Sequence, residues 1–245
     1  MDPARCSTRA GADRAPRARP RRVERALAHR PFARLLAIFA ANGIAAAIPS
    51  ATVLFFVADV LQAEHRAGLF LVLYFLAAAA SLPLWVAIAH RIGKLPAWLG
   101  SMLLACVVFA WAALLKAGDL GAFAAICVLS GIAFGADLAL PPALLADLLA
   151  RAPTSGQARA GAWFGWWNFV TKANLALAAG LALPLLAWLG YAPGERSPAA
   201  LDALRTVYAL LPVALKCIAI ALLWRWRTTL AGDAVAASVR RSPSP

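Results

Sequence analysis

Apolar residues along this chain fall into six long runs divided by short polar turns, at about Leu35 to Val57, Gly68 to Ala89, Ala97 to Leu115, Leu120 to Ala146, Gly161 to Leu189 and Leu204 to Trp224. Runs of about 19 to 29 residues are long enough for helices that cross a hydrocarbon core of about 30 Å, the longer ones tilted or reaching into the headgroups. The connections are too short to hold another domain. Small residues crowd several runs, as in Ala77 to Ser81 and Ala176 to Ala182. In lipid they let helices approach closely, so the pattern predicts a packed bundle rather than separate anchors. The fold class read from this pattern is an all-α polytopic membrane protein with six transmembrane helices. Residues 31–228 make the bundle, residues 1–30 a disordered basic tail and residues 229–245 a disordered tail.

Composition agrees. A chain of 245 residues that is 62% hydrophobic, with a mean hydropathy of +0.72, is too apolar for a soluble domain. The net charge of +13 does not mark a nucleic-acid partner, because ten of the twenty-four Lys and Arg residues precede Leu35 and most others flank apolar ends. Positive turns alternate with neutral or acidic ones. Ala89 to Pro96 carries His90, Arg91 and Lys94, Asp147 to Ala160 carries Arg151 and Arg159, and Arg225, Arg227, Arg240 and Arg241 close the chain. The positive-inside rule therefore puts both termini in the cytoplasm and the protein in the inner membrane. The first thirty residues have no apolar core or cleavage pattern of a secretory signal. Cys6, Cys106, Cys127 and Cys217 are isolated, no metal-ligand cluster or nucleophile elbow is present, and His29, His65 and His90 sit near span ends, so neither an enzyme nor a cofactor is expected.

Charge at membrane depth is costly and normally faces a bundle interior or a water-filled path. That directs attention to Asp137 in the fourth run, Lys172 in the fifth and Lys216 in the sixth. Helical steps back from Lys172 meet Asn168, Gly165 and Gly161, a small and polar stripe fit to face a cavity. Trp167 offers a flat face on which a sugar ring can pack, or belongs with Trp166 and Trp163 to an interfacial belt, the reading favoured for Trp163. Asp137 and Lys172 are expected to meet at similar depth as an ion pair. Pro141 and Pro142 remove backbone donors, which predicts a bend and a candidate gating hinge. Asp147 belongs to the cytoplasmic end, where it can tie the turn to Arg159. Lys216 is a second pathway candidate or a partly snorkelling side chain, and Asn42, Pro49 and Thr52 draw a polar line in the first run that suits interhelical hydrogen bonds.

Several of these residues carry a family resemblance. An Ala-Asp (Ala146, Asp147) near the end of a Pro-bearing membrane helix, the turn Ser155, Gly156, Arg159, Gly161, an aromatic helix with Thr171 and Lys172, and the closing Leu189, Gly190, Tyr191 resemble the melibiose-permease type of glycoside-pentoside-hexuronide:cation symporter, within the major facilitator superfamily. The turn AHRIGK at Ala89 to Lys94 is similar to the basic turn of that superfamily. The resemblance runs from about Arg30 to Thr228 and to the carboxyl-terminal half of a twelve-helix pattern, which implies one half of a major facilitator fold, a truncated or half-length symporter. It further implies that Lys172, Asn168 and Trp167 line a sugar site and influence coupling to Na+ or H+. The substrate implied is a small glycoside, and the partner beyond the lipid bilayer is a second copy or a separate amino-terminal half. Two family acids are replaced here by Ala150 and Ala160, and the family's cation-binding acids belong to the amino-terminal half. A membrane scaffold that keeps the fold without coupling is therefore the alternative function.

Overall fold

The computed structural model describes Leu27 and residues 29–151 and 156–239, with side chains through residue 230 apart from those of residues 156–159. Residues 1–26 of the expected basic tail lie outside the described residues, as does Ser155 of the turn. Among the described residues seven α-helices follow in order: α1 (Arg30–Phe55), α2 (Ala67–Ile92), α3 (Lys94–Ala112), α4 (Leu120–Arg151), α5 (Gly156–Trp188), α6 (Pro198–Arg205) and α7 (Leu211–Val239). A π-helical turn, Phe56–Val60, extends α1, and a second, Thr206–Leu210, joins α6 to α7. Six stretches among the described residues are long and apolar enough to cross a membrane: Arg30–Val60, Glu64–Ile92, Lys94–Ala112, Leu120–Arg151, Ala160–Trp188 and Pro198–Leu230. Each coincides with one of the six runs read from sequence. Helix α7 carries on past residue 228 to Val239, so the tail expected from residue 229 begins as helix.

The packing has an internal exchange. Helix α1 lies against α5 and α7, α4 lies against α2 and α3, and α3 meets α7, whereas α1 and α4 touch each other little. The first helix of each three-helix set thus packs on the second and third spans of the other set, the arrangement of paired three-helix repeats in transporters. The α2–α4 contact is the closest. A Cβ at Gly131 would collide with the Tyr74 carbonyl oxygen, and one at Gly135 with the Ser81 hydroxyl. The two glycines, one turn apart, let backbones come together, so that Trp85 Nε1 donates to the Ile132 carbonyl at 2.7 Å. Gly93, at φ 94°, makes the sharp joint between α2 and α3 that a residue with a Cβ would resist.

Two apolar clusters fill the bundle. One, near the end where α1 stops, is built from Phe56, Leu61, Phe70, Phe123, Leu204 and Tyr208. The other, toward the basic turns, holds Phe32, Leu35, Trp98, Leu140, Leu145 and Trp163. Trp163 is fully buried, stacked on Phe32 at 4.5 Å with His29 at 5.1 Å, so it belongs to the core and not to an interfacial belt. Phe32, in the first turn of α1, supplies that stacking face, a contact the sequence did not reveal.

Candidate functional site

Between the clusters lies a polar centre assembled from four helices. Asp137, near the middle of α4, accepts two hydrogen bonds at Oδ1, from Asn42 Nδ2 of α1 at 2.9 Å and Trp98 Nε1 of α3 at 2.8 Å. Its Oδ2 stands 3.4 Å from Lys216 Nζ of α7. Lys216 donates to Asn42 Oδ1 at 2.6 Å, so the Asn42 amide bridges acid and base, carbonyl toward one and NH2 toward the other. Lys216 is 3% exposed, too deep to snorkel. An unpaired charge there would cost several kcal/mol, about 3–5 when one partner of a buried pair is lost.

This corrects the expected Asp137–Lys172 pair. Lys172 lies on the open side of α5 and is exposed, with Asn168, Gly165 and Gly161 beside it on that face. Helix α5 packs chiefly on α1, which turns its lysine face away from α4. Equal depth along neighbouring turns of sequence did not mean equal direction. The stripe itself survives as a continuous open face, since added Cβ atoms at Gly161 and Gly165 would meet nothing. Trp167 points the other way, buried and stacked on Phe39 at 3.8 Å, so a pyranose has no access to the ring face that Phe39 covers.

Helix α4 runs unbroken through Pro141 and Pro142. Their missing N–H groups leave the carbonyls of Asp137 and Leu138 without the usual donor four residues on, beside the polar centre. Asp147 pairs with Lys94 Nζ at 2.7 Å and so ties the start of α3 to the end of α4. The tie expected to Arg159 involves a side chain that lies outside the described residues. Of the polar line in α1, Asn42 reaches across helices, while Thr52 turns back to the Ile48 carbonyl of its own helix.

A cavity of about 160 Å³ opens onto the polar centre. One water needs only about 10–15 Å³ by the same measure, so the space is roomy. Asp137 and Lys216 end it, Tyr74, Phe134 and Tyr208 wall it, and Ser50 and Phe75, both exposed, stand at its mouth between α1 and α2. That gap exists because α1 and α2 belong to opposite packing groups.

A second buried acid, Asp59, sits in the π-helical end of α1. Its Oδ2 accepts from the Tyr191 hydroxyl at 2.5 Å and from the Gly194 N–H at 3.1 Å, and Arg196 Nε lies 3.9 Å from Oδ1. The carboxylate thereby holds the loop after α5. Burial first, then the hydrogen bond to Asp59 and its charge, push the Tyr191 hydroxyl well above the usual phenol range. Sequence reasoning passed over Asp59 and Trp98. Asp59 had a signal, as the one acid in the Arg30–Val60 span, whereas Trp98 had none, because its role depends on which neighbour its N–H meets.

Six apolar spans, two interleaved three-helix sets and a charged centre at membrane depth make an integral membrane protein built for more than anchorage. No curated protein matches the chain. A family described as MFS/sugar transport protein matches residues 8–229, and the chain accordingly belongs to that family of the major facilitator superfamily and is a membrane transporter.

Proposed function

We propose that the chain forms one wall of a sugar:cation symporter of the melibiose-permease type, corresponding to the carboxyl-terminal six helices of the twelve-helix pattern and working against a second six-helix bundle. The observation that carries this reading is Lys172. It lies near the middle of the Ala160–Trp188 span, exposed beside Asn168, Gly165 and Gly161, and makes no hydrogen bond or ion pair among the described residues. An ammonium at that depth is rejected by lipid, so its face belongs to a polar compartment. In alternating-access carriers that compartment is the substrate site between two bundles. Lys172 and Asn168 then meet substrate hydroxyls, and Trp167 stiffens the wall from behind through Phe39. The second bundle is supplied by another copy or by an amino-terminal half on whichever chain carries it. The basic turns and tails favour the inner membrane with both termini cytoplasmic.

The test is uptake of a small panel of labelled glycosides by vesicles containing the chain, alone and with a related amino-terminal half, with and without a Na+ or H+ gradient. Gradient-driven uptake that Lys172→Ala abolishes is the expected result. Silence across the panel in both settings would overturn it in favour of a scaffold.

A further inference from the structure

We propose that a second cavity, at the basic end of the bundle, is a site for an anionic phospholipid, its phosphate held by Arg151 and Lys94 and one acyl chain lying along the apolar floor between the two three-helix sets. The site is separate from the Lys172 face and does not depend on what the protein carries.

This cavity has a volume of about 480 Å³, against about 160 Å³ for the one beside Asp137. It forms where three spans end together, since Ile92 closes α2, Lys94 opens α3 and Arg151 closes α4. Span ends lie at the level of the headgroups, so its mouth meets lipid phosphate and not the middle of the hydrocarbon. The floor is Leu35 of α1, Leu148 of α4 and Leu230 of α7, with Ala89 of α2 beside them. Walls of this kind offer water no hydrogen-bond partners, and methylene groups gain by covering them. Leu35 and Ala89 belong to one three-helix set, Leu148 and Leu230 to the other. A chain seated there touches both sets and holds them together.

Charge selects the headgroup. Lys94, Asp147 and Arg151 are the charged side chains that line the cavity among the described residues. Asp147 is already matched by Lys94 at 2.7 Å, which leaves the guanidinium of Arg151 as the uncompensated charge. Arg151 is exposed and makes no hydrogen bond or ion pair among the described residues. A guanidinium presents paired N–H donors that suit two oxygens of one phosphate. The Lys94 ammonium has three donors, of which Asp147 takes one and the Ala143 carbonyl, at 3.4 Å, another, so one is left. The first turn of α3 has no side-chain cap, and its partial positive charge adds to both. A free phosphate would satisfy these cations and leave the leucines bare. A zwitterionic lipid would bring a further positive charge toward Arg151. An anionic phospholipid suits the cations and the leucines at once.

The experiment is native mass spectrometry of the purified full chain, delipidated in detergent and titrated with phosphatidylglycerol, with phosphatidylcholine of the same chains or with glycerol phosphate, and thermal melts alongside. The expected result is a first phosphatidylglycerol bound about tenfold more tightly than phosphatidylcholine, with a melting midpoint that rises on binding. Arg151→Gln should weaken that first event by about tenfold, through loss of the charge-assisted hydrogen bonds. Arg225→Gln removes an exposed charge outside the cavity lining, and screening should keep its effect below about twofold. Ala89→Leu fills part of the floor and should weaken phosphatidylglycerol with Arg151 intact, its melt without lipid showing that it folds. Arg151 is exposed, so its own substitution does not touch the core. Equal binding of phosphatidylcholine would overturn the selection by charge. Equal losses in Arg151→Gln and Arg225→Gln would reduce the site to general attraction by a basic surface. Displacement of the lipid by glycerol phosphate at equal concentration, or binding unmoved by Ala89→Leu, would mean a site for a free anion with no place for the chain.

Discussion

Lys216 and Lys172 are the same residue type at similar depth in neighbouring spans, and the fold treats them oppositely. Lys216 is 3% exposed, with Asn42 at 2.6 Å and Asp137 at 3.4 Å as counter-groups. Lys172 is exposed and unpaired among the described residues. The first has been desolvated and must be compensated from within the bundle. The second keeps its solvation requirement and passes it to whatever compartment α5 faces. A buried lysine therefore reports on the architecture of one bundle, and an open one on surroundings that its own bundle does not supply.

The comparison breaks most visibly in stability. Lys216→Met or Asp137→Leu alone leaves a buried charge without its partner and is expected to cost about 3–5 kcal/mol of unfolding free energy. The double substitution should recover much of that loss, while Lys172→Met should stay within about 0.5 kcal/mol. Denaturant unfolding in detergent micelles reads all of these. Equal losses at the two lysines would mean that Lys172 is also held inside the bundle.

A smaller contrast comes from the glycines around them. Gly131→Ala and Gly135→Ala drive a methyl group into α2 and are expected to cost about 1–3 kcal/mol by overpacking. Gly161→Ala and Gly165→Ala add the same methyl group on the open Lys172 face and should be neutral, or stabilising by up to about 1 kcal/mol through helix propensity. Thermal melts of the four variants would show whether that face is truly unoccupied.

The least effect is expected at the other buried acid. Asp59 is held by a neutral hydroxyl, with the exposed Arg196 guanidinium farther off at 3.9 Å, and Tyr191 has its pKa raised in the folded state. The contribution of Tyr191 is therefore fully present below the ordinary tyrosine value of 10.0, where both states are protonated. It is lost as pH rises beyond that, because the unfolded chain ionises first. Unfolding followed across the alkaline range should show a decline that Tyr191→Phe flattens. No difference between the two proteins would detach Tyr191 from Asp59.

Much of the architecture was legible beforehand. A run of twenty apolar residues has one stable answer in a bilayer, a helix that satisfies its own backbone, so the six spans, though not their limits, followed from composition and length. The positions that carry chemistry were legible as positions, since Asp137, Lys172 and Lys216 stand out against apolar neighbours. Which of them meet was not. Asp137 and Lys172 are 35 residues apart across one turn, yet the true partner, Lys216, is 79 residues away and arrives through α7. Trp163 and Trp167 looked like surface residues because belt and core tryptophans have the same composition around them.

What the sequence by itself determined is the set of spans and a short roster of residues too polar for lipid. These depend on local transfer free energies, which each residue carries with it. Only the tertiary structure decided the exchange of helices between the two three-helix sets, the joining of Asn42, Trp98, Asp137 and Lys216 into one centre, and the outward turn of Lys172. Those depend on the rotation of each helix about its axis, and that rotation is set by close approach at Gly131 and Gly135 and by the packing of whole faces rather than by any one residue's preference for water or lipid.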